Sequence, residues 1–160
     1  MVRERVRVDL RPYRTADLPA LARLFYRTVH TVCVQDYTPP QLDAWASSSI
    51  DEAAWDASLR AHVTRIAEVG GEIVGFGDMD EAGYLDRLYV AADWQHIGIA
   101  TAICDALEST VPSACYTTHA SITARTFFER RGYRVRYAQE VERRGVKMTN
   151  YVMEKKKSRA

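Results

Sequence analysis

The sequence predicts an α+β fold built in layers, with helices packed on a mixed sheet, and three observations carry that reading. Seven short stretches show strand-like apolar alternation: residues 6–10, 63–69, 72–78, 84–90, 114–119, 133–140 and 146–153. The pairs around Gly70-Gly71 and Arg144-Gly145 are joined tightly enough to be hairpins. Between the strands, in the first third and again twice in the second half, the apolar period changes to that of a helix. Strands alternating with helices in the second half imply parallel pairing there.

Length and composition narrow the class. A chain of 160 residues suffices to bury roughly 70% of the surface its unfolded form would expose, so one core is expected. We read residues 1–154 as a single domain and 155–160 as a polar basic tail. Charged residues at 27% and hydrophobic ones at 47% describe a globular protein. A net charge of +1 gives no general pull toward nucleic acid or a membrane surface, and neither is expected as a partner. Cys33, Cys104 and Cys115 are odd in number and lack CxxC or Cys/His spacing, which argues against disulfides and zinc and suits a reducing cytoplasm. The start, MVRERVRV, is no signal peptide, and no apolar run approaches the ~20 residues of a membrane span.

In order, Val6, Val8 and Leu10 alternate with Arg5, Arg7 and Asp9, giving an opening strand that Pro12 ends. Thr15 is the expected N-cap of a helix whose stripe is Leu18, Leu21, Ala22, Phe25 and Val29. Pro40 favours a fresh helix start before Leu42, Trp45 and Ala46, and a third helix spans Asp51 to His62. A hairpin follows, then a strand from Tyr84 to Val90. Ala100, Ile103, Cys104 and Leu107 recur at helical spacing as far as Pro112. A strand from Ala114 to His119 leads to a helix over 123–131, closed by Gly132, and to the last hairpin.

The strand-turn-helix from Tyr84 to Thr110 organises the rest. A helix starting at a small-residue turn offers unpartnered N–H groups and a positive dipole end to an anion, and Gly98 removes the Cβ that would obstruct a phosphate. A P-loop is excluded, because its Lys and first Gly are missing; a dinucleotide fingerprint is excluded, because one Gly stands where three are needed. The turn instead resembles the acyl-CoA pyrophosphate turn of the GNAT superfamily of N-acyltransferases, Gln/Arg-x-x-Gly-x-Gly/Ala, with Gln95, Gly98 and Ala100 in the fixed positions. The segment from Ser121 through Ala124 and Phe128 to Gly132 and Tyr133 matches a second motif of that family, Asn-x-x-Ala-x-x-x-Tyr-x-x-x-Gly-Phe, in spacing. The element order matches as well, so the resemblance spans nearly the whole chain.

The resemblance implies the GNAT fold: a mixed, mostly antiparallel sheet of six to seven strands with about four helices, splayed between Tyr84–Val90 and Ala114–His119. It implies acetyl-CoA as cosubstrate, no metal, and direct transfer to a small-molecule amine, with acylation of a protein amine or a non-catalytic acyl-CoA-binding role as alternatives. A homodimer is compatible with it. The implied cofactor contacts are Leu88, Tyr89 and Val90 on the strand, Gln95, His96, Ile97, Gly98, Ile99, Ala100 and Thr101 on the turn, and Ser121 and Phe128 beyond it. Phe128 departs from the family pattern: it stands where many members carry a Tyr that protonates the departing thiolate, and a phenyl ring cannot.

Alkyl amines with a pKa of about 10 are mostly protonated at neutral pH, so a base must collect a proton. Asp86 in mid-strand is one candidate, equally readable as a partner of Arg87; Asp78 and Glu81 are alternatives. His119, ending the strand across the splay, could be base or acid, and equally an ordinary loop histidine. Tyr84, Tyr116 and Tyr137 are the replacement phenols. For the acceptor, Tyr26, His30, Tyr37 and Tyr84 are the expected contacts, with Trp45 and Trp55 adding aromatic surface, and Tyr37 before two prolines is placed facing the cleft.

Overall fold

In the computed structural model, which describes residues 6–157, the chain forms strands β1 (Asp9–Pro12), β2 (Val63–Val69), β3 (Glu72–Met79), β4 (Tyr84–Val90), β5 (Cys115–Ser121), β6 (Arg134–Arg143) and β7 (Val146–Lys156). Helices α1 (Leu18–Val32), α2 (Pro39–Trp45) and α3 (Glu52–Ala61) separate the first two strands. Helix α4 (Ile99–Thr110) lies between β4 and β5, and α5 (Arg125–Arg130) follows β5. The seven strands make one sheet in the order β1-β2-β3-β4-β5-β7-β6. Every neighbouring pair is antiparallel except β4 and β5.

Each face of the sheet has its own core. On one side Ile103, Cys104, Leu107 and Phe128 from α4 and α5 pack with Val74, Leu85, Val90 and Met153. On the other Leu21, Phe25, Val29 and Leu59 from α1 and α3 pack with Ile66 and Phe76. Helix α4 seats directly on β3 at Gly75 and Gly77: a Cβ on Gly77 would lie 2.8 Å from Ile103 Cγ2 and 3.0 Å from the Arg87 carbonyl. Among the described residues no helix is long and apolar enough to cross a membrane.

Several boundaries move from the sequence reading. The opening strand is Asp9–Pro12 rather than Val6 to Leu10, because only these residues find partners, Asp9 on Glu68 through Pro12 on Arg65. As an edge strand it tolerates Pro12. Arg5 lies outside the described residues. Thr15 caps nothing. Instead Asp17 accepts the Arg14 N–H at 2.9 Å and bonds from Arg11 Nη1 and Nη2 at 2.8 Å each, and these bonds hold its carboxyl below the usual range. Helix α2 starts at Pro39, one residue earlier than read, and Thr38 caps it in a capping box with Gln41. The β6–β7 hairpin is longer than its apolar pattern, because its turn, Arg144 at φ 51° and Gly145 at φ 78°, keeps the strands in register for seven pairs, and two more follow a bulge at Arg136. Strand β7 runs to Lys156, past the tail boundary set at Glu154; Lys155 reaches Glu108 of α4 at 2.6 Å. Residues 158–160 lie outside the described residues.

Candidate active site

Strands β4 and β5 pair only at Tyr84 with Thr117 and Leu85 with Thr118, then diverge. The cause sits at the next residue. The β3–β4 register jumps from Asp78–Arg87 to Met79–Leu85, so Asp86 is a bulge without a partner on β3, and a bulge bends and twists the strand carrying it. Past that point β4 has an open edge. Ala91 N–H bonds Val74 at 2.8 Å toward β3, so by antiparallel alternation Leu88 and Val90 turn their backbone groups into the gap. The Val90 carbonyl is already engaged, by Gln95 Nε2 at 2.5 Å and Thr28 Oγ1 at 3.4 Å. The side chains of Leu88 and Val90 pack toward α4, while Tyr89 packs on the opposite face with Phe25 at 4.9 Å between ring centroids.

Beyond Val90 a 3-10 turn over Ala92–Trp94 leads into α4. His96 (φ 61°) and Gly98 (φ 91°) adopt left-handed backbone there, and the N–H groups of Ile99, Ala100 and Thr101 precede the first bond of the ladder, Ala102 N–H to Gly98 at 3.0 Å. A Cβ on Gly98 would meet nothing within 4 Å. The glycine is therefore required by its φ, and the space in front of it is free. His96 and Ile97 are exposed, Ile99 is buried in the α4 core and Ala100 half-buried. Gln95 does not face that space with its amide nitrogen; it braces the turn against β4.

Farther on, Ser121 Oγ accepts the Ala124 N–H at 3.0 Å, a local cap that leaves its own proton available. Phe128, read as a cofactor contact, is only 3% exposed and packs edge-on with Phe127 and Tyr133 at 5.1 Å, so its ring belongs to the core.

On the α1–α3 face, opposite Leu85, Leu88 and Val90, the bulge gathers a charged cluster. Asp78 is fully buried; its Oδ2 accepts from Arg87 Nη1 at 2.6 Å and bonds His62 Nδ1 at 2.8 Å, while Oδ1 has no partner. Arg87 also lies 3.3 Å from Asp86 Oδ2, receives support from Ser58 Oγ at 3.2 Å and stacks over Trp55 at 4.6 Å. Burial, and then the nearby Asp78 carboxylate, push the Asp86 carboxyl above its usual range. The hydrogen bond to Asp78 raises His62. Ligand atoms of His62, Asp78 and Asp86 lie within 4.8 Å of one another, a spacing that could hold a cation, and the Arg87 guanidinium already supplies the positive charge there.

Tyr84 and His119 meet edge to face at 5.2 Å where the β4–β5 pairing closes, and burial, followed by Asp86, raises the Tyr84 phenol. The structure thus brings Asp86, Tyr84 and His119 to one mouth of the gap. It does not bring the other three acceptor residues there. Tyr37 is 6% exposed, with its hydroxyl donating to Thr149 and accepting from Ile122 N–H, so it ties the α1–α2 connection to β7 and β5 instead of facing a cleft. His30 Nε2 bonds the Ala46 carbonyl at 2.7 Å and its ring stacks on Tyr26 at 4.2 Å. Tyr26 lines a separate hollow of about 710 Å³ between α1 and the Ser47–Glu52 segment. Of the spare phenols, Tyr116 bonds Glu108 and Val111 carbonyls in the α4 core and Tyr137 is exposed on β6.

His62 and Arg87 escaped the sequence reading as functional residues. One signal pointed to the cluster: Asp78 occupies an inward position of a strand whose neighbours are buried, and a lone buried carboxylate demands counter-charges from elsewhere in the chain.

A sequence profile described as the acetyltransferase (GNAT) domain matches residues 33–155. The chain is 35% identical over 146 residues to the uncharacterized N-acetyltransferase YafP of Escherichia coli K12, covering 91% of this chain and 94% of that one. It superposes with a TM-score of 0.90, at 33% identity and 98% coverage of both chains, on a GCN5-related N-acetyltransferase from Rhodopseudomonas palustris whose description also reads aminotransferase, class-II. YncA of Salmonella typhimurium, solved with acetyl-CoA, shares the fold at a TM-score of 0.69 and 13% identity, with 96% of each chain covered.

Proposed function

This chain belongs to the GNAT acetyltransferase family and is an acetyl-CoA-dependent acetyltransferase, and on that premise we propose that it acetylates the primary amine of a small molecule by direct attack in a ternary complex. The reaction takes place in the cytoplasm, consistent with three free cysteines. The N–H groups of residues 99–101 and the open space before Gly98 fit the pyrophosphate of acetyl-CoA, and the gap-facing backbone of Leu88 with the Val90 N–H fits its amide-bearing arm.

The observation that carries the reading is Asp86 on the bulge that opens the gap. Its side chain, 35% exposed, can reach an incoming amine, and its raised proton affinity suits a base working near neutrality. The amine gives its proton to Asp86. Its nitrogen then bonds the thioester carbon, the C–S bond breaks, and the sulfur leaves with the electron pair and takes a phenol proton to become the CoA thiol. The second proton shed by the nitrogen as the amide forms replaces the one the phenol gave. Tyr84 is our choice for the proton donor to sulfur, with His119 beside it, since burial keeps its phenol protonated. The Tyr84 ring offers aromatic surface to the cationic acceptor.

The test is CoA release over a panel of small primary amines and lysine- or N-terminus-bearing peptides, with initial rates at varied concentrations of both substrates. Turnover of small amines with intersecting double-reciprocal lines is expected. Turnover of peptides alone would replace the acceptor assignment, and parallel lines would replace direct attack.

A further inference from the structure

The buried half of the charged cluster has no task in the reaction as described. Asp78 is fully buried, and neither it nor His62 is among the groups that would meet the substrate, yet both stand within 4.8 Å of Asp86. Asp78 directs one oxygen to Arg87 and His62 and leaves the other, Oδ1, with no donor. A buried carboxylate oxygen without a partner is costly, and its negative charge is felt by whatever carboxyl lies beside it. We propose that His62 and Asp78 are positioning residues that hold Asp86 between opposed charges and so set the pH at which the enzyme becomes active.

The inference rests on Asp86 as base. From β3, Asp78 disfavours the ionised form of Asp86. From the α3–β2 junction, His62 favours it, and Asp78 keeps the imidazolium charged past the usual range near pH ~6.5. Arg87 on β4 touches both carboxylates and balances them. Asp80 in the β3–β4 turn adds a weaker negative charge. Tyr84 on β4 and His119 on β5 lie at the gap mouth, Arg143 of β6 acts on Tyr84, and α3 contributes the uncharged Ser58 and Trp55. With both histidine and arginine charged, the two acids and two bases cancel. Removing one member leaves a definite sign behind.

The experiment is the pH dependence of kcat/KM for the full chain, for His62→Gln and for Asp78→Asn. His62→Gln keeps a hydrogen-bond donor but loses the charge, so the acid limb moves up by about one pH unit. Asp78→Asn removes the opposing charge, so the limb moves down. Lower kcat with an unmoved limb in both variants, or movement in the same direction, would overturn the proposal while leaving Asp86 as the base. An acid limb that survives in Asp86→Asn would remove the base assignment itself. If Asp78→Asn fails to fold because Arg87 loses its partner, carbon-13 titration of the Asp86 carboxyl decides from His62→Gln alone: a higher midpoint supports the tuning, and an unchanged one overturns it.

Discussion

The two halves of the site are built from different materials. The turn before α4 is made of backbone: left-handed residues at His96 and Gly98, a helix start, and N–H groups without acceptors. The cluster around Asp86 is made of side chains from α3 and its C-cap, β3 and β4, none of them consecutive except Asp86 and Arg87. Backbone sites are robust to side-chain change and recur with a fixed spacing. Side-chain sites depend on register and on exact charge balance, so they can vary in specificity and are fragile.

The largest effect that would test this contrast is on the side-chain half. Asp86→Asn should lower kcat by about 10²–10⁴-fold while leaving acetyl-CoA affinity unchanged by calorimetry; undiminished turnover would take Asp86 out of the chemistry. Next, Gly98→Val should do the reverse. It forces a β-branched residue into φ 91° at a strain of ~1–3 kcal/mol and fills the open space before the turn, so acetyl-CoA binding weakens by about tenfold or more. Equal affinity for the two proteins would show that the pyrophosphate lies elsewhere. Smaller still, Phe128→Tyr buries a hydroxyl between Phe127 and Tyr133 and should cost ~1–3 kcal/mol of unfolding free energy, read from denaturant melts, with no gain in rate. A large rate gain would mean that the natural chain lacks an acid and that Tyr84 does not serve as one.

The smallest expected effect is on stability with pH. The folded value of His62 is raised, so its pairing with Asp78 contributes fully below about pH 6.5 and is lost as pH rises through the folded value. The stability difference between the natural chain and His62→Gln should narrow across that interval. A constant gap in urea midpoints would mean that folding does not raise the proton affinity of His62.

Much of the fold was legible because it is local. The strand from Tyr84 to Val90, the Gly70-Gly71 hairpin and the stripes of α1 and α4 follow from period and turn chemistry within a few residues. So does the turn before α4, whose left-handed Gly98 is a backbone requirement. Tyr37 was misplaced because two prolines mark a break in the chain without saying which way a side chain turns; its hydroxyl found Thr149 and Ile122, far away in sequence. Asp86 was named for its position in a strand, but the bulge that aims it arises from pairing with β3, and no local pattern records a one-residue slip between strands. His62 closes α3 and looks like any helix end until β2 and β3 carry it to Asp78.

The bare stretch of β3 has a further mechanical consequence. Gly75 and Gly77 take α4 against one side of the strand, and Asp78, the next residue, anchors the charges on the other. The first turn of α4, to which we assign the anion, and the Asp78 carboxylate, to which we assign the tuning of the base, are thus held apart by the thickness of a single backbone, as a gauge block sets the gap between two jaws. A side chain at position 77 would push against Ile103 and the Arg87 carbonyl together, moving both jaws with one change.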